Sequence, residues 1–131
     1  MTDFEKSSGF SAPPPSPADR AFLKGVFAPG GKGRVQDLED GARAWLALAA
    51  SRAAKGPLVV VAESSLALDR LGHDLAALGA GDSTVRFPAL NVEASRMASG
   101  QPSPDVAGER LRALQRCLSW KGRGILAPCV Q

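Results

Sequence analysis

Apolar residues recur at two different periods along the chain, and the two periods alternate. Four segments carry apolar residues at spacings of three and four, which is typical of helices with one buried face. Three short apolar runs separate or follow them and predict strands. After one short leading helix, the order is helix, strand, helix, strand, helix, strand. This order predicts a three-layer α/β fold, with a mainly parallel sheet flanked by helices.

Capping and stop signals place the first two helices. Ser16 followed by proline predicts a short helix over residues 17–27, because serine is a good N-cap and proline suits the first helical position. A loop to about residue 35 leads to a second helix over residues 38–54, which Gly56 and the proline after it end. The apolar stripe of this second helix consists of Leu38, Ala42, Trp45 and Ala49.

The later elements follow from the same two periods. Residues 58–62 form a continuous β-branched run, which predicts a parallel strand buried on both faces. Strands are also predicted over residues 84–87 and 125–128, with a loop over residues 88–104. A third helix over residues 64–78 has the stripe Leu68, Leu71, Leu75 and Leu78. A fourth, from about 105 to 120, has the apolar face Ala107, Leu111, Leu114 and Leu118.

These elements divide the chain into three parts. Residues 1–16 are polar and end in consecutive prolines, which predicts a disordered or polyproline-like tail. Residues 17–35 form the short helix and its loop. Residues 36–131 form a single α/β module, and its sheet is small enough that we expect it to be incomplete. Uncovered strand edges and leucine stripes would then leave the isolated chain marginally stable or prone to associate.

Charge and composition narrow the function classes. The net charge is +3 over 131 residues, which is too small to indicate nucleic-acid binding by itself. Tyrosine is absent and aromatics make up 5%, so a base-stacking surface is not expected. The basic residues cluster near the end of the chain, where a solvated helix face is the alternative to a nucleic-acid interface. The candidate nucleic-acid contacts are Arg112, Arg116, Lys121 and Arg123.

We next ask whether the chain has a metal site and in which cellular compartment it lies. The two cysteines, the histidine and the amino-terminal segment provide the evidence. Cys117 and Cys129 lack zinc-ligand spacing, and His73 is the only histidine, so we expect no metal site. Two isolated thiols are typical of a reducing cytoplasm. The first ten residues lack the apolar segment of a signal peptide. No apolar run approaches the length of about 20 residues that a membrane helix needs, so no membrane partner is expected.

The sequence also lacks the residues of a phosphate loop. That motif needs glycines for close backbone approach, a lysine for the outer phosphates and a hydroxyl for magnesium. Gly30, Gly31, Lys32 and Gly33 offer glycines and a lysine, but no hydroxyl residue follows and no strand precedes. We therefore interpret this segment as a surface loop. No nucleophile and base stand at a spacing typical of catalysis, so no catalytic residue is predicted.

Several segments in order resemble the start of bacterial transcription-repair coupling factors. Residues 38–46, reading LEDGARAWL, are followed by the strand PLVVVA over residues 57–62. In that family a degenerate phosphate loop opens the helix, and the same module carries an intact loop in the excinuclease B component. The degenerate slots fall at Gly41, Ala42 and Arg43, where Ala42 replaces the lysine and Arg43 the hydroxyl residue. The resemblance therefore implies a partial RecA-like module that binds no nucleotide.

Further segments support the resemblance as an ordered set over about residues 36–131. Phe87 and Pro88 precede a loop, and SPDV over residues 103–106 precedes Glu109-Arg110-Leu111. GRGIL over residues 122–126 resembles the family's next strand. The family's Trp-Glu and Pro-Tyr-Asp are missing from residues 90–96, so no role is carried over to that loop. The chain stops near the position where the family inserts the domain that contacts the excinuclease A component.

The resemblance implies a non-catalytic module of a larger DNA-repair protein. In the family, a separate ATP- and Mg-dependent translocase displaces stalled RNA polymerase on DNA, and the protein recruits the excision enzymes. The polymerase, DNA and the excinuclease A component would then bind through parts absent from this sequence. The module itself would contact other domains of the same protein and hold no cofactor. The alternative is a stand-alone α/β protein-interaction domain without enzymatic activity.

Overall fold

The computed structural model describes residues 12–89 and 104–130, and these residues form an α/β fold. Each predicted helix and strand in this part of the chain is present within a few residues of its predicted bounds. The elements are α1 (Pro17–Val26), α2 (Asp40–Ala53), β1 (Leu58–Val59), α3 (Ser65–Ala77), β2 (Thr84–Phe87), α4 (Pro104–Leu118) and β3 (Ile125–Pro128). None of the described helices combines the length and the apolar character that crossing a bilayer requires.

The sheet is parallel, with the strand order β1-β3-β2. The pairing of β1 continues past its formal end, because the backbone N–H of Val60 donates to Leu126 and that of Ala62 to Pro128. β1 is therefore an edge strand, and Val59 and Val61 are 56% and 58% exposed. The prediction that residues 58–62 are buried on both faces is wrong, because the last strand of the chain, not the first, takes the central position.

Helices cover both faces of the sheet, as the sequence predicts. Arg86 of β2 forms an ion pair of 3.1 Å with Asp69 on α3. The next residue, Phe87, lies under the guanidinium of Arg110 on α4, 4.1 Å from its ring centroid. Successive side chains of a strand point to opposite faces. α3 and α4 therefore lie in different layers, on the two sides of the sheet.

The main core lies between the sheet and the pair α2 and α3. Ala44 and Leu75 are fully buried there, and Ile125 of the central strand is nearly so. The predicted stripe of α3 is confirmed: Leu68 and Leu75 are buried, and Leu71 and Leu78 pack against the core. Alanines at the contact side of α2 allow its backbone to approach α3 closely, since they carry only a methyl group.

Capping interactions fix the start of α1 and of α3. The Ser16 hydroxyl accepts a hydrogen bond from the backbone N–H of Asp19, and the Asp19 carboxylate accepts one from the backbone N–H of Ser16. This reciprocal pair is a capping box, as the Ser-Pro signal indicates. Ser64 caps α3 through the backbone N–H of Ala67. Past the end of α3, Gly79 adopts a φ of 82°, which glycine tolerates without strain.

The end of the predicted tail packs against the core. Ala12 is buried in the main cluster, and the indole N–H of Trp45 donates to the carbonyl of Pro13 at 2.8 Å. Residues 12–16 are thus held on α2 in an extended conformation without helix or strand. Residues 1–11 of the predicted tail, and most of the predicted loop over residues 88–104, lie outside the described residues.

Candidate functional site

The first turn of α2 carries the three degenerate phosphate-loop positions, Gly41, Ala42 and Arg43. Arg43 folds back, so that its Nε donates to the carbonyl of Leu38 at 3.2 Å. The carboxylate of Asp40 lies 3.9 Å from Arg43 and 3.7 Å from Arg70. The amino end of a helix attracts anions through its free N–H groups and dipole. Here the first turn carries the carboxylate of Asp40, and no side chain caps it, so a phosphate would meet a negative charge.

The glycine-rich segment before α2 serves packing. A Cβ added to Gly33 would lie 2.6 Å from the side chains of both Phe22 and Val26. Glycine is therefore needed for the loop to pass over the apolar side of α1. Lys32 is exposed. The segment runs between α1 and α2 with no strand before it, and its interpretation as a surface loop agrees with this arrangement.

A groove of about 610 Å³ lies along the outer edge of β2, between α3 and α4. Arg112 and Arg116, two of the four candidate nucleic-acid contacts, line it. Arg86 and His73 join them from elements distant in sequence, and the spacing of basic residues along the chain gave no signal for either. Lys121 and Arg123 are exposed in the turn after α4 and do not line the groove.

The charges in this groove largely offset one another. Arg86 is paired with Asp69, and the guanidinium of Arg116 donates to the backbone carbonyl of Asp82 at 3.1 Å. Glu109 adds a second carboxylate to the lining. Nucleic-acid affinity depends on several cations free to replace the counterions of phosphates. The groove gathers few of these, and nucleic-acid contact by the four basic residues stays a prediction.

Groups suited to metal binding or catalysis are scattered. Within residues 12–89 and 104–130, no three His, Cys, Asp or Glu side chains cluster closely enough to hold a metal ion. Cys117 and Cys129 are free thiols, and the sulfur of Cys129 lies 3.9 Å from the Ser65 hydroxyl. His73 is exposed on the groove side of α3. These groups do not converge on a common point where a substrate atom would react.

The largest irregularity of the fold is the exposure of the leucines on α4. The predicted apolar stripe exists, but Leu111 is 63% and Leu118 is 87% exposed. This exposure agrees with the expectation that the leucine stripe lacks part of its cover. Ala113 is the buried residue of α4 instead, because the helix sits close to β2 and only a small side chain fits between them. The leucine period was visible in the sequence, whereas its direction was not.

On the sheet face under α4, the described residues cover the β2 side and leave the β1 side uncovered. Val85, Leu126 and Val59 stand side by side in the pairing register and point to the same face. Exposure rises along this row: Val85 is buried under α4, Leu126 is half-buried and Val59 is open. We call the uncovered area the open face, formed by Val59, Val61 and Leu126 with the leucines of α4, Leu111, Leu114 and Leu118.

We compared the chain with known proteins and found no relative. Neither a protein-family model, nor a curated protein, nor a solved structure matches the chain. The case for a function therefore rests on the residues and the geometry of the chain itself.

Proposed function

We propose that this chain is a non-catalytic docking module whose open face binds another protein or another part of a larger protein. The observation that carries the proposal is the outward direction of Leu111, Leu114 and Leu118 beside a bare strand. Contiguous exposed apolar surface on a soluble fold is typical of interaction sites. Scattered polar groups and a helix terminus that carries a carboxylate offer no comparable basis for an enzyme.

We further propose that the larger protein is a transcription-repair coupling factor, acting in the cytoplasm in nucleotide-excision DNA repair. The ordered resemblance over residues 36–131 supports this, and so does the first turn of α2. There, Ala42 and Arg43 supply neither the lysine nor the hydroxyl of a phosphate loop, and Asp40 adds a carboxylate that pairs with Arg43 and Arg70. The module would be a scaffold with a partial RecA-like fold. The ATP-driven translocation of DNA and contacts with RNA polymerase and the excinuclease A component would belong to other parts.

The size of the natural polypeptide tests this assignment. An antibody raised against the 131-residue chain should detect a far longer protein in the source cells. Its coding frame should continue into helicase motifs. A natural polypeptide that ends with this chain would overturn the coupling-factor assignment and favour the stand-alone interaction domain, which has the same open face.

A titration with Mg-ATP tests the lack of nucleotide binding. Calorimetry should show no heat of binding, because Ala42 and Arg43 cannot hold the outer phosphates or magnesium. A dissociation constant below about 100 μM, equivalent to roughly −5.5 kcal/mol, would contradict the proposed non-catalytic role. The variant Arg43→Ala serves as a control: it frees the first turn of α2 from the bond to Leu38 and should still not bind.

A further inference from the structure

The open face has the dimensions of a seat for one helix. α4 packs over β2, at one edge of the sheet. Neighbouring strands are about 4.8 Å apart, so β1 lies about 9.6 Å from β2 across the sheet. Packed helices keep axes about 8–10 Å apart. A helix laid beside α4 would therefore lie directly over β1, on Val59 and Val61, which are exposed now.

The side of α4 forms a wall for this seat. Successive residues of a helix are turned by about 100°. Ala113 faces the sheet, while Arg112 and Arg116 turn toward the groove at the outer edge of β2. The opposite flank of α4 must then face the β1 side. Leu114 lies on that flank, about 100° from Ala113, whereas Leu111 and Leu118 lie about 160° and 140° from it and face away from the sheet. The seat therefore has an apolar floor on the sheet and an apolar wall at Leu114, with Leu111 and Leu118 along the outer side of the helix.

Charge around the wall indicates which helix would fit. From residue 104 to residue 123 the chain has two acidic residues and five basic ones. The acidic residues are Asp105 and Glu109, and the basic ones are Arg110, Arg112, Arg116, Lys121 and Arg123. Arg112 and Arg116 face the groove and Arg110 lies over Phe87, so Lys121 and Arg123 are the exposed basic residues that follow the end of the wall. A second copy of this chain would bring its own basic α4 to the same place, which like charges disfavour. A helix with acidic flanks would instead meet charges of opposite sign.

We propose that the open face binds an amphipathic helix with a leucine-type stripe and acidic flanks, resting on the proposed docking function. Its apolar residues, at spacings of three and four, would pack against both β1 and the side of α4. The acidic flanks would lie near the exposed Lys121 and Arg123. The proposed ligand is thus defined by one apolar stripe and by acidic residues on either side of it.

Two synthetic peptides of about five helical turns test this, each with leucines at the same spacing. One carries glutamate at all other positions and the other carries lysine. Fluorescence anisotropy with the 131-residue chain should show binding of the acidic peptide, at least about tenfold tighter than the basic one, equivalent to about 1.4 kcal/mol. Equal affinity for both peptides, or binding of neither, would overturn the proposal.

Two neutral variants locate the site. Leu114→Gln should weaken binding of the acidic peptide at least about tenfold, because this leucine lies on the wall. Leu66→Gln is the matched control: Leu66 is 61% exposed but lies on α3, in the layer on the other side of the sheet. Circular dichroism should show that both variants fold. An equal loss of affinity in the two variants would contradict the location.

Sedimentation of the chain alone tests whether a second copy of the chain binds the open face. We expect a monomer at the concentrations used for anisotropy. A stable dimer that Leu114→Gln dissociates would assign the open face to a second copy and overturn the acidic-helix proposal. Failure of the peptides would not affect the coupling-factor assignment, which the length of the natural polypeptide tests independently.

Discussion

The two faces of this sheet both carry apolar residues but are covered very differently. On one face, α2 and α3 bury Ala44, Leu75 and Ile125 almost completely. On the other face, α4 buries Val85 but leaves Val59 and Val61 open and turns its own leucines outward. Among the described helices, α2 and α3 pack together on the covered face, whereas α4 packs over the β2 side of the open face.

This contrast shows that the sequence of a helix sets its apolar stripe, whereas neighbouring elements determine whether that stripe is buried. The leucine period of α3 and that of α4 look alike in sequence, yet only α3 buries its stripe. α3 has α2 as a neighbour, which closes the core from the side. α4 has no described helix beside it on the β1 side, so the residue that it buries is Ala113, directly over the sheet.

The exposed area should limit the stability of the isolated chain. Each half-exposed leucine or valine forgoes on the order of 1 kcal/mol of burial. The open face contains several of these residues, against a total stability of about 5–15 kcal/mol for a domain. We expect the chain to melt below about 60 °C or to associate on heating. Circular dichroism melts with sedimentation check this, and a cooperative monomeric melt above that temperature would contradict it.

Truncation of one leucine on each face should sharpen the contrast. Leu75→Ala removes a fully buried side chain from the covered face and should lower the free energy of unfolding by about 2–5 kcal/mol. Leu118→Ala should change it by no more than about 0.5 kcal/mol, because that leucine is 87% exposed. Urea denaturation measures both. Similar losses for the two variants would mean that the open face is covered in solution.

The sequence predicted the elements well because their ends carry local signals. The Ser16 cap, the glycine after α3 and the β-branched run of β1 each act within a few residues, and each is where the sequence placed it. Strand order is different, because β3 enters between β1 and β2 only when the whole chain has folded. No local pattern records that insertion. We expected uncovered strand edges in so small a sheet, whereas the exposure of one face of β1, at Val59 and Val61, depends on that insertion.

The same limit applies to the candidate site. The basic cluster near the end of the chain was visible as a charge run, and two of its members, Arg112 and Arg116, do reach one groove. Their surroundings come from other elements: Arg116 donates to the backbone carbonyl of Asp82, and the ion pair of Arg86 with Asp69 lies in the same groove. Tertiary contacts of this kind decide whether a charge run is free to bind a ligand.

Removal of the arginine that seats α4 should weaken the packing of this helix on the sheet. Arg110 lies over the ring of Phe87 and donates to the carbonyl of Pro88 at 2.7 Å. Arg110→Met keeps an apolar stem but loses both interactions, and should cost about 1 kcal/mol of unfolding free energy. Arg112→Met, on the exposed groove side of the same helix, is the control and should cost less. Urea denaturation of the two variants measures this difference. Equal losses of unfolding free energy would show that Arg110 does not hold α4 on the sheet.

The smallest expected effect concerns the capping box of α1, which packs beside α2 on the covered side. The hydrogen bonds from the side chain and then the backbone N–H of Ser16 lower the pKa of Asp19 below its ordinary value of 3.8. A carboxyl group with a lowered pKa in the folded state stabilises it above the unfolded pKa. That contribution is lost as the pH falls through the folded pKa, so α1 should loosen only below about pH 3.8.

Carbon NMR of the Asp19 carboxyl group measures this titration directly. In the unmodified chain the midpoint should lie below 3.8, and in Ser16→Ala it should return toward that value, because the hydroxyl hydrogen bond is gone. Amide exchange in the first turn of α1 should quicken over the same pH range, while the amides of α3 in the covered core should respond less. A midpoint at or above 3.8 in the unmodified chain would show that the capping box does not hold α1 in solution.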